Sequence, residues 1–270
     1  MNKRLYFLII IILLVTSNSS NAQKLTITDQ SKSTLSLELK IDDYDIKEIN
    51  DGKEIMHEVA LSSIMIPNDK GKPNLPSVNR FIAVPNNAKA KVVVNNYKKE
   101  ILKNINIAPS RGVVSEYDTT NSDYIKDYDI YSKDELFPAN IVSITEDINL
   151  RGVEAIGLNI SPIQYNPVKK ELIVYTEIEL SIEYEGGDSK FGDDRLRSMH
   201  WDPILQHNIL NYNSLLKINY SERFQQWIAD DAEGAEYLII IPDDESFREQ
   251  AQRLADYRNK QGIITKVYSL

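Results

Sequence analysis

The chain has 270 residues, no cysteine, 31 basic and 40 acidic side chains, and a formal charge of −9. The acidic balance argues against nucleic acid as a partner, because phosphate binding needs a basic face. Without cysteine the fold must be held by its core, and these residues offer neither a cysteine nucleophile nor a thiolate metal site.

The chain opens with Lys3-Arg4, an apolar run from Leu5 to Val15, and Ser20-Asn21-Ala22 before Gln23. A basic start, a short apolar core and small residues describe a secretory signal peptide cut after Ala22. The run is well below the roughly 20 residues that cross a bilayer. We therefore expect an exported protein, secreted or at the cell surface, with no stable membrane span after signal removal.

Residues 23–187 read as strands. Leu35, Leu37, Leu39 and Ile41 alternate with polar residues, the pattern of a half-buried strand, and Asn50-Asp51-Gly52 suits a hairpin turn. Gly71-Lys72-Pro73-Asn74-Leu75-Pro76 predicts an extended path, since two prolines in four residues exclude helix. Phe81 to Val84 forms a strand ended by Pro85, and Ala90, Val92 and Val94 form another. Ser115 to Asp134 is polar, tyrosine-rich and aperiodic, as expected of a surface excursion. Ile156, Leu158 and Ile160 alternate, and Leu172 to Tyr184 holds period two most clearly. The predicted fold is mainly β, an antiparallel sandwich or barrel.

Gly186-Gly187 and Gly192 break the pattern, and the polar stretch that follows predicts a connector over 188–235. Within it Asp202-Pro203 suits a helix start, with Leu205, Ile209 and Tyr212 on one side. From 236 to 270 the chain changes character. Tyr237 to Ile241 is a compact, β-branched apolar run; Ser246-Phe247-Arg248-Glu249 has the form of a capping box; Gly262 stands at a helix C-cap position; and Ile263 to Leu270 is extended. This is one βαβ unit, which we read as the start of a larger α/β domain.

No constellation in the sequence carries chemistry by its spacing, and no cofactor is implied. His57, His200 and His207 have no nucleophile motif beside them. Asp42, Asp43 and Asp45 lack calcium-loop spacing and read as a solvated turn. The glutamates between Leu172 and Tyr184 face water at period two. The tyrosines of Tyr117 to Tyr131 are read as packing on the sandwich rather than as a sugar platform. Catalytic and metal-ligating residues are expected to be absent from this chain.

The order GKPNLP, FIAVP, INIAPS and ISPIQYNPVKKELIVYTEIELSIEY resembles the propeptide domain of the gingipain family of bacterial cysteine peptidases. WDPILQHNILNY resembles the connector that follows it, and EYLIIIPDD with FREQAQRLADYRNKQGIITKV looks like the opening of the catalytic domain. The resemblance implies a zymogen, with an inhibitory and chaperoning propeptide ahead of a caspase-like domain whose histidine and cysteine form the catalytic pair. Neither of those two positions is reached here. The implied partners are this chain's own catalytic domain and, through it, protein substrates. The resemblance also gives Arg195 and Arg197 a meaning: basic residues in a polar, glycine-flanked segment suit the arginine- or lysine-directed processing that it implies. Arg223 competes with them, followed by Phe224 and Trp227. A non-enzymatic surface or adhesion protein with a degenerate peptidase-like domain is the alternative. A secreted carbohydrate-binding sandwich is a third, weakly supported because both tryptophans fall in the connector.

Overall fold

The computed structural model describes residues 23–61, 67–112, 124–223 and 234–270. The expected signal peptide and the expected cleavage after Ala22 lie outside the described residues, as do part of the tyrosine-rich stretch and Trp227. In chain order the elements are β1 (Gln23–Gln30), β2 (Thr34–Ile41), β3 (Asp45–Asn50), β4 (Ile55–Ala60), β5 (Val78–Ala83), β6 (Ala88–Lys103) and α1 (Tyr128–Tyr131). They continue with β7 (Val142–Ile144), β8 (Ile148–Leu150), β9 (Val153–Ile160), β10 (Ile163–Asn166), β11 (Glu171–Gly186), α2 (Asp202–Asn208), β12 (Tyr237–Ile241), α3 (Glu245–Lys260) and β13 (Thr265–Ser269).

Two antiparallel sheets share one core. In the first, β11 lies between β6 on one side and both β10 and β2 on the other, with β1 beyond β2. In the second, β9 lies between β5 and the short strands β7 and β8. Leu35, Leu37 and Leu39 of β2 and Ile178, Leu180 and Ile182 of β11 meet Ile156, Leu158 and Ile160 of β9, all at most 1% exposed. The sheets do not close into a barrel. Period-two alternation puts these residues on one face, and burial fixes the register, since a one-residue slip would send every apolar side chain to water.

The hairpin expected at Asn50-Asp51-Gly52 joins β3 to β4; Gly52 takes φ +84°, and the Asp51 carboxylate accepts from the amides of Lys53 and Glu54. The Pro73–Pro76 stretch is extended, its neighbours bonding to residues 108–110. Strand β6 is far longer than the three alternating residues Ala90, Val92 and Val94 indicate: it pairs with β11 along the whole 16-residue length, with two register shifts.

The carboxy-terminal unit is a parallel β12–β13 pair bridged by α3. One of its two expected caps shifts. The N-cap of α3 is Asp244, whose carboxylate accepts from both the amide and the hydroxyl of Ser246, so Ser246 lies inside the helix and the Ser246–Glu249 capping box does not form. An acid accepting two donors holds the first turn at its positive end, which is where a carboxylate is favoured. Gly262 ends the helix as expected: its amide bonds to Asn259 and that of Ile263 to Arg258, at φ +80°. The apolar strand of this unit is uncovered, with Leu238 55% and Ile240 57% exposed.

Candidate functional site

Gly186 and Gly187, both at positive φ, end β11, and the segment after them is not the open linker expected. It is packed. Phe191, Leu205, Ile209 and Leu215 all belong to the common core. Residues 209–211 run along the open edge of β5: Ile209 bridges Phe81, the Leu210 amide donates to the Phe81 carbonyl, and the Asn211 side chain bonds both the amide (2.8 Å) and the carbonyl (2.9 Å) of Ala83. An exposed strand edge is a template for unwanted pairing, and this segment covers one. The Asn86 side chain reads the loop at Gly192, and the Asp193 amide donates to Gly152. Gly152, at φ +79°, lies so close to the connector that a Cβ there would meet Leu196 at 2.9 Å.

The two arginines of this segment stand in opposite environments. Arg195 projects to solvent, its side chain 83% exposed, and chelates Asp193 through Nε and Nη2 at 3.0 and 2.7 Å. That hydrogen bond holds the Asp193 carboxyl below the usual carboxylate range. Arg197 is buried at 2% exposure, so the expectation that it sits in an open linker is corrected. Its Nε and Nη2 meet the two carboxylate oxygens of Asp202 at 2.9 and 2.7 Å, Nη1 donates to the Leu216 carbonyl, and Nη2 reaches the Tyr212 hydroxyl at 3.4 Å. Tyr212 donates to the same Asp202 carboxylate at 3.2 Å. Burial pushes the Asp202 carboxyl up, but hydrogen bonds from Arg197 and the neighbouring tyrosines outweigh it, and the net shift is downward. Asp202 is therefore not the N-cap of α2; Trp201 holds that place, and the carboxylate is committed to Arg197.

Arg223 adds a second layer. Its Nη1 donates to the carbonyls of Asp194 (2.6 Å) and Arg197 (3.3 Å), and its Nη2 to that of Arg195 (3.2 Å). Nothing in the sequence announces Asn211, Asp202 or Arg223 in these roles, because each acts on a partner set by the fold rather than by spacing.

Of the remaining candidates, Glu177 and Glu179, expected to face water, are half-buried. His200 and His207 are exposed; His57 is half-buried in β4, its Nδ1 accepting from the Asn106 amide at 3.1 Å. Asp42, Asp43 and Asp45 are exposed. Among the described residues the three carboxylates brought together are Glu38, Glu177 and Glu179, and Lys40 and Lys98 pair with the first two. In the tyrosine-rich stretch, Tyr124 stacks under Arg111 at 5.0 Å and Tyr131 donates to the Ile107 carbonyl, packing toward the sheets.

Against known proteins, the Propeptide_C25 family model matches residues 16–219. Gingipain R2 of Porphyromonas gingivalis is 28% identical over 202 residues, covering 74% of this chain and 26% of that protein. Gingipain R1 of the same organism is 24% identical over 257 residues, covering 92% of this chain and 24% of that protein. This chain thus spans about a quarter of the length of those relatives. Among solved structures, a complex of the pro- and mature domains of RgpB from P. gingivalis aligns with TM-score 0.61 and 26% identity, covering 70% of this chain and 97% of that one. A structure of zymogenic latency in gingipain K aligns with TM-score 0.51 at 18% identity, a likeness of fold.

Proposed function

The chain belongs to the Propeptide_C25 family and carries the propeptide of a gingipain-type precursor, and from that premise we propose that it is the front portion of a secreted cysteine endopeptidase zymogen. The β-sandwich is the inhibitory part. Its partner is the α/β domain that begins at the βαβ unit, and protein substrates are reached through that domain. The observation that carries this reading is the contrast between the two units. Residues of both sheets and of the connector bury one core, whereas Leu238 and Ile240 of β12 stay open to solvent. A two-stranded parallel pair needs more strands and a second helical layer to cover its faces.

The packing of Phe191, Leu205, Ile209 and Leu215 favours a prodomain that ends near residue 219 rather than 187, in line with the extent of the family match. Processing at Arg195 keeps its candidacy, because the side chain is exposed; Arg197 loses it, because its guanidinium is enclosed and paired. Export rests on the amino-terminal pattern ending at Ala22.

The test is inhibition in trans. The peptidase matured from the full-length gene product is assayed with purified, folded residues 23–223 added. Dose-dependent inhibition is expected. A folded segment that leaves activity unchanged at micromolar concentration removes the inhibitory role. A gene lacking a histidine and a cysteine after later apolar strands would favour the surface-protein alternative.

A further inference from the structure

We propose that Arg223 is a latch protecting the Arg195–Leu196 and Arg197–Ser198 peptide bonds from arginine-directed cleavage. Exposure alone marks Arg195 as vulnerable, yet the backbone around it is not presented as a substrate. A peptidase that stabilises an oxyanion must place hydrogen-bond donors on the scissile carbonyl. Here the carbonyls of Arg195 and Arg197 already accept from the Arg223 guanidinium, at 3.2 and 3.3 Å, and that of Asp194 accepts at 2.6 Å. Residues 194–196 are wound into a 3-10 turn capped by Asp193, not extended. The Arg195 guanidinium, the group an arginine pocket must take up, is chelated by Asp193, and Arg197 is enclosed.

The turn and the Asp193 chelation are local to the segment, whereas Arg223 fastens its backbone carbonyls from 26 to 29 residues further along the chain. A cut at the exposed Lys217 separates Arg223 from the connector, so that the latch can leave. A cut after Arg223 leaves the guanidinium attached and in place. Once 217–223 has peeled away, water can hydrolyse the Arg195–Leu196 bond, giving the Arg195 carboxylate and the Leu196 amine. The order of cuts is thereby set by the fold: opening between 217 and 223 precedes cleavage at 195. As a maturation device the latch rests on the precursor reading, but bond protection is measured in this chain without any catalytic domain.

The experiment is limited proteolysis of residues 23–270 with an arginine-specific endoprotease, reading each new terminus by mass spectrometry against the exposed Arg253 as internal reference. Wild type is expected to resist cleavage after Arg195 and Arg197. Arg223→Gln, with its melting transition retained, is expected to be cut there at least about tenfold faster, since the lost bonds lower the cost of local opening. Equal rates at Arg195 in wild type and variant overturn the latch. If Arg223→Gln loses its cooperative transition, Arg223→Lys replaces it: the charge stays but the fork that spans several carbonyls is lost. Faster cutting then supports the latch, and an unchanged rate overturns it.

Discussion

Tyr184 near the end of β11 and Phe191 in the connector meet edge to face, ring centroids 6.0 Å apart, with Gly186 and Gly187 turning the chain between them. This contact ties the segment after the last long strand to the sandwich. Burying an apolar side chain of this size contributes about 1.5–3 kcal/mol, and Leu205, Ile209 and Leu215 join Phe191 in the core. Against a net domain stability of about 5–15 kcal/mol, losing all four is decisive. A fragment of residues 23–187 should therefore lack a cooperative melting transition, whereas 23–223 should show one. Equal midpoints for the two would make the connector dispensable to the fold.

Removing Arg197 strands the Asp202 carboxylate in a buried site. Arg197→Ala is expected to cost about 3–5 kcal/mol in urea unfolding, whereas Arg195→Ala, at an exposed pair, should leave the unfolding midpoint nearly unchanged.

The same pair sets a pH dependence. The folded-state pKa of Asp202 is depressed, so its contribution is complete above the unfolded value of about 3.9 and is lost as pH falls through the folded value. The stability difference between wild type and Asp202→Asn should thus be largest near neutrality and shrink below about pH 4. A difference that stays constant from pH 7 to pH 3 would contradict this account.

Asn211 is 1% exposed and bonds to both backbone groups of Ala83, 128 positions earlier. Asn211→Ala should destabilise by about 1–3 kcal/mol per buried group left unpaired, read in the same urea titration.

The βαβ unit should be the least protected part of the chain. Hydrogen exchange of residues 23–270 is expected to label β12 and β13 before β2, β9 or β11, because sub-global opening follows the number of buried apolar contacts. Comparable protection in β12 and β11 would mean that the unit is stable without further strands.

The sandwich was legible because its core strands alternate strictly: Leu35 to Ile41 and Leu172 to Tyr184 leave one face apolar whatever their partners. The second half of β6, Asn95 to Lys103, was not legible. It carries several lysines and a glutamate and gains its strand character from β11, with lysines suiting an edge. The connector was misread for a related reason. Leu205 and Ile209 keep helical spacing, but Phe191 and Leu215 reach the core outside any period, and no pattern shows that the segment packs on the sandwich. Arg197 looks like a neighbour of the exposed Arg195, and only the fold brings Asp202, Tyr212 and the Leu216 carbonyl around it.

The pairing of β2 with β11 joins Thr34 to Glu183 and Lys40 to Glu177. A chain made from its amino terminus presents β2 with its hairpin partner β1 but long before β11 exists, so that the apolar face of Leu35, Leu37, Leu39 and Ile41 is open to water in the interval. Closing so long a loop is entropically slow, and few local contacts are available to pay in advance. Each of the two longest strands spans about 50 Å, and the sheet assembles around β11, the last strand of the sandwich to emerge. The molecule should thus remain pliable through most of its synthesis and become rigid late, when β11 arrives between β2 and β6.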